Sequence, residues 1–376
     1  MTQKVMERAN QSEPSMRSLA GLYEFDKEMM SIMNLVNLTY PFAETPGYGE
    51  AVEVAPGVYW SRLPLPFKPN HINVWLLEGD EGLAVVDTGM RGAEAEQLLA
   101  GLVDVLGDGA GLSRVMVTHM HPDHVGQAGQ LVARWGAQFW MTRLEYLTCR
   151  ALSPQSLSQD MPLAIARFFS QAGWSPGGIE KYQAHYGSRI VSLPDSYRRL
   201  EDGQIHRIGG YEWRVIVGRG HSPEHACFYC KDRKLLISGD QVLPRISSNV
   251  SVSAMEPTAN PMADWINSLQ MLKANVPEDV LVLPAHGECF RGLHTRIDTL
   301  LEEQERSFDA LHELLAVPKK VVDVFPALFN RTLSEDITHV YSLATGEAVA
   351  CLNYLLALGR ISQSVDEEGI SWYQAK

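Results

Sequence analysis

Residues 114–136 read RVMVTHMHPDHVGQAGQLVARWG, and the fold turns on how this stretch divides. RVMVT is rich in β-branched and apolar residues and reads as a strand. VGQAGQLVARWG carries apolar residues at helical spacing and reads as a helix. Between them THMHPDHVGQ, residues 118–127, puts three histidines and one aspartate into six positions. Pro122 sits among them and excludes the middle of a helix, because its ring blocks the preceding turn. A packed core has no use for that density of ionisable groups in a loop. Their purpose depends on which other parts of the chain meet them.

Outward from this stretch, β-rich runs begin near residue 52. GVYWSRL, HINVWLLEG and GLAVVDTG read as successive strands, GAEAEQLLAGLVDVLG as a helix and QFWMT as a short strand. Strands alternating with helices indicate an α/β layered domain. Residues 143–200 break the rhythm. They read as mostly helical and hold Phe168, Phe169, Trp174, Tyr182, Tyr186 and Tyr197. Such an insertion fits either a cover over a site or a helical subdomain with its own core. The β texture resumes with GQIHRIGGYEWRVIVGRGHSPEHACFYC and KLLISGDQVLP. The helix MADWINSLQMLKANV, the strand DVLVLPAHG and the long helix LHTRIDTLLEEQERSFDALHELLA follow. The tail from about residue 318 has two helical patterns and a β-like end, GRISQSVDEEGISWYQ, which suggests a small α+β unit. Near the other terminus, residues 14–37 have helical spacing and several methionines. They fit a helix packed on the body or a Met-rich flap near a pocket.

The unusual polar residues fall at strand ends. LAVVDTG ends at Asp87, RVMVTHMHPDH at His119, His121, Asp123 and His124, WRVIVGRGH at His221, LLISGD at Asp240 and VLVLPAH at His286. If these strands share sheets, their ends converge on one crevice, where layered α/β proteins place their sites. Imidazole and carboxylate suit zinc, manganese or iron without any cysteine. Five histidines and two carboxylates exceed the needs of one tetrahedral ion and suit two, with Asp240 shared between them. Two close cations deliver hydroxide at neutral pH and polarise a carbonyl or phosphoryl oxygen, so the chemistry implied is hydrolysis. The histidines at 71, 185, 206, 294, 312 and 339 are expected to be packed or solvent-facing. Cys227 and Cys230 form a CxxC within a strand, where residues three apart point to opposite faces, and are expected to pack rather than act as a redox or metal pair.

Composition narrows the partners. Hydrophobic residues make up 45% and charged residues 20%, as in a soluble globular protein. The formal net charge of −13, with no basic patch in view, disfavours nucleic acid and anionic membranes. No run of about 18 apolar residues suggests a membrane span. MTQKVMERANQSEPSMRS lacks the apolar core of a signal peptide, and five scattered cysteines suit a reducing compartment, so a cytoplasmic location is expected. Apolar faces on the N-terminal helix and the tail are compatible with a homodimer.

HxHxDH followed by GHSPEH, SGD and PAHG resembles the metallo-β-lactamase superfamily over roughly residues 52–292. The resemblance implies a four-layer αββα sandwich with a dinuclear site along one edge. It implies a first metal, zinc by expectation, on His119, His121 and His221. A second would sit on Asp123, His124 and His286, with Asp240 bridging. Asp87 matches an aspartate that supports the metal-site loop, and His225 matches a position beside the ligands. Secreted β-lactamases generally lack the bridging aspartate. Flavin-linked diiron oxygen reductases carry glutamate where this chain has His121. Persulfide dioxygenases keep HxHxDH but use one iron and stay open as an oxidoreductase alternative. The remainder resembles the hydrolase group of glyoxalase II, lactonases and ribonuclease Z. The tail stretch HVYSLATGEAVACLNYLLALGRI resembles a small winged-helix domain found after the catalytic domain in one subgroup, some of whose members cleave RNA. From residue 295 onward, seven Lys or Arg stand against thirteen Asp or Glu, a net of −6, which favours a packing or oligomerisation role instead.

The expected organisation is an N-terminal helical extension, 1–51, a catalytic domain, 52–292, with its insertion at about 143–200, and a linker helix with a winged-helix-like unit, 293–376. The expected activity is hydrolysis of a small ester or thioester, of acyl-CoA or acyl-glutathione type. A hydroxide held between two metals attacks the carbonyl, while Asp123 and Asp240 orient it and relay its proton. An endoribonuclease or phosphodiesterase is the alternative among hydrolases.

Overall fold

Seven strands form the first sheet in chain order: β1 (Ala51–Ala55), β2 (Val58–Pro64), β3 (His71–Leu77), β4 (Leu83–Val86), β5 (Leu112–Met116), β6 (Gln138–Thr142) and β7 (Arg198–Leu200). The computed structural model describes residues 38–152, 161–184, 193–329 and 332–376. The expected helix at 14–37, His185 and Tyr186 lie outside these residues. Neighbours from β1 to β4 pair antiparallel, and those from β4 to β7 pair parallel. Parallel neighbours need crossovers, and helices Ala93–Leu106 and Ala128–Trp135 supply them between β4, β5 and β6.

The second sheet has β8 (Ile205–Ile208), β9 (Tyr211–Gly218), β10 (His225–Cys230), β11 (Leu235–Gly239) and β12 (Leu281–Pro284) in spatial order 12-11-10-9-8. The burial pattern of β3 explains how the sheets stack. Every residue after His71 is buried, so both faces of the strand are covered. Ile72, Val74 and Leu76 join a core with Leu99, Val103 and Leu131 of the crossover helices. Trp75 and Leu77 join a different core with Trp60, Met116, Trp213, Phe228, Ile237 and Leu283, which lies between the two sheets. On the far side of the second sheet, Ile216, Leu236 and Val282 pack with Trp265 and Leu269 of helix Pro261–Asn275 and Leu293 and Ile297 of helix Leu293–Leu314. The layers are therefore helix, sheet, sheet and helix. Within β10, Cys227 enters the outer core and Cys230 the core between the sheets, both as free thiols.

The tail contributes helix Thr338–Ala357 and the hairpin of β13 (Ile361–Val365) and β14 (Ser371–Ala375). That helix is long and apolar enough to cross a membrane, with mean hydropathy 1.2, yet 56% of the window is buried inside the protein. Part of its cover is the aromatic insertion. Phe168, Phe169 and Trp174 are buried in a core shared with Tyr341 and Phe325. The Trp174 indole donates to Thr345 Oγ1 at 2.9 Å. The insertion's core is thus shared with the C-terminal region rather than its own, and these three rings are committed to it.

Candidate metal centre

β4 and β5 run parallel, so Asp87 and the histidine loop leave the first sheet at the same end. Asp87 adopts φ 62°, the left-handed region that aspartate tolerates better than most residues. Its carboxylate accepts from Thr118 N at 2.8 Å, Thr118 Oγ1 at 2.9 Å and His124 Nδ1 at 2.8 Å. One buried side chain thereby fixes both ends of the loop. His121 is the N-cap of the short helix Pro122–Val125, whose first position is the proline, as helix starts prefer.

The second sheet brings its residues to the same edge. Parallel β11 and β12 end together, at Asp240 and His286. Ala226 N donates to Thr118 O at 2.8 Å and Asn73 N to Ala285 O at 2.7 Å, stitching the two sheets here. Two glycines set the approach. Gly220, at φ 103°, leaves no room for a Cβ, which would stand 2.4 Å from Trp265 Cβ, and it presents His221. Gly239, at φ 51°, lies against the His225 ring, where a Cβ would stand at 2.5 Å. The His225 Nε2 accepts from Asp240 N at 3.0 Å and so fixes the backbone of Asp240.

All seven expected ligand residues meet. His119 Nε2 lies 2.9 Å from His121 Nδ1 and 3.1 Å from His221 Nε2. His286 Nε2 lies 3.4 Å from Asp123 Oδ2, and His124 Nε2 lies 3.7 Å from the same oxygen. Asp240 faces both groups, with Oδ2 3.4 Å from His221 Nε2 and Oδ1 3.6 Å from His124 Nε2 and 3.5 Å from His286 Nε2. His121 and Asp123 are only partly buried, whereas the other five are buried, so access from solvent is on their side.

The partners on the far side of each ring assign its proton. A carbonyl or carboxylate can only accept. His221 Nδ1 therefore donates to Asn249 O at 2.7 Å, His286 Nδ1 to His71 O at 2.8 Å and His124 Nδ1 to Asp87. In the neutral ring each then turns its Nε2 lone pair into the site, the arrangement of a metal-ligating histidine and its outer partner.

Burial, followed by repulsion among the neighbouring rings, pushes His119 well below the usual histidine range and His121 down to about 3. These rings are neutral at pH 7, the state in which imidazole binds metal. Burial acts the same way on His124 and His286, but the carboxylates around them outweigh it and raise both. Burial would raise Asp123 and Asp240, yet the surrounding histidines hold Asp123 at about 2 and Asp240 well below the carboxylate range. The site concentrates buried carboxylates and imidazole nitrogens, and a cation among them would take the place of the protons that the carboxylates otherwise draw onto His124 and His286. His124 Nε2 and Asp240 Oδ1 are buried with no hydrogen-bond partner. The groups His119–His121–His221, His119–His124–Asp240 and Asp123–His124–His286 each hold their ligand atoms within 4.8 Å of one another. Lone pairs that close repel unless a cation lies among them, so the donor set fits divalent metal.

Sequence reasoning missed several supports. Glu145 is fully buried and accepts from Met120 N at 2.9 Å and Glu224 N at 2.7 Å, tying the two histidine loops together. Burial raises its pKa to about 7. His71, expected to be an ordinary packed histidine, contributes its carbonyl to His286 and its Nε2 to Gly287 N at 3.0 Å. Asn249 gives only a backbone carbonyl, which no side-chain pattern reveals. Glu145 gave no signal either, because a glutamate in a mixed helical stretch reads as a solvated one.

The family model for the metallo-beta-lactamase superfamily matches residues 68–286, and the model for the metallo-beta-lactamase-like C-terminal domain matches residues 308–376. The chain is similar to the crystal structure of a beta-lactamase domain protein from Burkholderia ambifaria, with TM-score 0.83 and 37% identity, covering 92% of this chain and 100% of that one. It is 23% identical to hydroxyacylglutathione hydrolase GloC of Haemophilus influenzae over 59% of this chain and 86% of the relative. It is 24% identical to an atrochrysone carboxyl ACP thioesterase of Aspergillus fumigatus over 65% of this chain, a match that spans 44% of the thioesterase's own length.

Proposed function

The chain belongs to the metallo-beta-lactamase superfamily, and on that premise we propose that it is a metal-dependent hydrolase of small thioesters or esters. One observation carries the reading: two donor groups flank Asp240, and each of its oxygens faces a different group. His119, His121 and His221 would hold one cation, Asp123, His124 and His286 another, and Asp240 both. Zinc suits this set, as do manganese and iron. When bound, such ions supply hydroxide at neutral pH and Lewis acidity toward a carbonyl.

The chain's own residues do the rest. Asp123 and Asp240 stay ionised at neutral pH, and in this reading they would accept hydrogen bonds from the attacking water and orient it toward the acyl carbon. They also take up its proton as its oxygen adds and the carbon–sulfur or carbon–oxygen bond breaks, and the leaving group recovers that proton. The partly buried His121 and Asp123 side is the approach for the acyl group. The similarity to a hydroxyacylglutathione hydrolase and to an acyl-carrier thioesterase supports a thioester over a phosphodiester. The winged-helix-like reading of the tail stands as part of this proposal, with a packing role.

The test is a hydrolysis panel on zinc-loaded protein: acyl-CoA and acyl-glutathione thioesters, an acyl-homoserine lactone, an aryl ester, a phosphodiester and single-stranded RNA. Thioester or lactone turnover is expected, and His121→Ala and Asp240→Ala should lower it by several orders of magnitude while circular dichroism stays unchanged. Full activity in a variant stripped of metal would sink the proposal. Cleavage confined to RNA would move it to the nuclease alternative.

A further inference from the structure

We infer that Glu347, in the C-terminal helix Thr338–Ala357, is a positioning residue for the metal centre, acting through Asn249 on His221. The inference rests on the metal-centre reading above. His221 is held by its Nδ1 donating to Asn249 O at 2.7 Å. The carbonyl belongs to the polar segment after Asp240, which forms no helix or strand and has no regular backbone partner to fix it. Arg296 braces the start of this segment at Leu243 O and Ile246 O, and the stretch from Asn249 to Val252 is held by the C-terminal helix. Asn249 Nδ2 donates to Glu347 Oε2 at 2.6 Å, a short bond between the segment and the helix. Ser251 Oγ lies 2.6 Å from Asn249 Oδ1 and 3.2 Å from Leu343 O. Val252 N donates to Gly346 O at 3.0 Å.

Helix and segment are in close contact. A Cβ at Gly346 would stand 2.9 Å from Ser251 Cβ and 3.0 Å from Val252 O, so only glycine lets the helix backbone approach this near. The path from Glu347 to the metal-facing Nε2 of His221 thus has two hydrogen bonds and one peptide carbonyl. It sets the ring's tautomer and its angle to His119 and Asp240. Partners of this kind act on a metal by orienting its ligand. The C-terminal region, which supplies no ligand of its own, would in this way help to complete the centre.

The test is zinc affinity of the full-length chain by competition with a chromophoric chelator, together with the visible spectrum of the cobalt-substituted protein. Glu347→Ala and Asn249→Ala should each weaken zinc binding about 10-fold and alter the cobalt bands. Glu347→Gln, whose amide oxygen still accepts from Asn249 Nδ2, should restore both. Asn249→Ala leaves the C-terminal helix intact and keeps the test decisive if Glu347→Ala does not fold. Wild-type affinity and spectrum in both alanine variants would overturn the inference alone. So would a glutamine variant as weak as the alanine one. A wild-type chain that binds neither zinc nor manganese nor iron would overturn the metal-centre reading, and this inference with it.

Discussion

Glu145 shows how a single carboxylate reports on its surroundings. It is ringed by protein, and burial raises its pKa from an ordinary 4.5 to about 7. The folded state therefore holds this proton more tightly than the unfolded chain. The resulting contribution to stability is full below about pH 4.5 and is lost as pH rises toward 7. Thermal midpoints of the wild type should fall more steeply between about pH 5 and about pH 8 than those of Glu145→Gln, which has no proton to lose. Parallel slopes would show that Glu145 does not titrate in this range. Glu145→Gln should also be less stable throughout, because its amide NH2 replaces one of the two oxygens that accept Met120 N and Glu224 N.

The elements around the site are placed by backbone as much as by side chains. Helix Pro261–Asn275 starts with Asn260 accepting from Ala263 N, and its first turn presses on Gly220. Gly220→Ala puts a methyl group 2.4 Å from Trp265 Cβ and 2.6 Å from Pro261 O at φ 103°. It should cost about 2–3 kcal/mol in chemical denaturation, since strain and overpacking coincide there. An unchanged denaturation midpoint would mean that the helix moves aside freely. Helix Leu293–Leu314 acts on the opposite flank. The buried Arg296 donates to Leu243 O at 2.7 Å and Ile246 O at 3.0 Å, bracing the segment that follows Asp240.

At the scale of the whole molecule, charge and packing define what the chain can meet. The net charge of −13 and the acidic tail give no electrostatic driving force toward phosphates. Fluorescence anisotropy with single-stranded RNA at about 0.1 M salt should detect no binding in the micromolar range, and a salt-sensitive complex would reveal a basic track that the totals conceal. Packing also makes the tail integral. Trp174 of the insertion, Tyr341 of the C-terminal helix and Phe325 share one core with the outer face of the second sheet. Much of its helix is buried against protein, which accounts for the apolar residues that also give it the composition of a membrane span.

The sequence by itself determined the layered α/β fold and the seven candidate ligands. Both rest on local rules: strands and helices have different apolar periods, and strand ends are where polar residues interrupt those periods. His119, His121, Asp123 and His124 were legible because four ionisable groups in six positions have no packing explanation. Asp240 and His286 were legible because each closes an apolar strand. Tertiary structure decided the rest. Only the assembled sheets bring Asp240 between two groups of nitrogen, and only they show which ring nitrogen points inward. Asn249 and Glu347 are 98 residues apart, and Glu145 braces loops on both sides of it in the chain. No period or motif encodes such contacts, because a backbone carbonyl has no residue signature and a lone glutamate on a helix reads as a solvated one. The insertion's aromatics illustrate the same limit: their composition fitted a cover over a site or a separate core equally well, and only the fold revealed a core shared with the C-terminal helix.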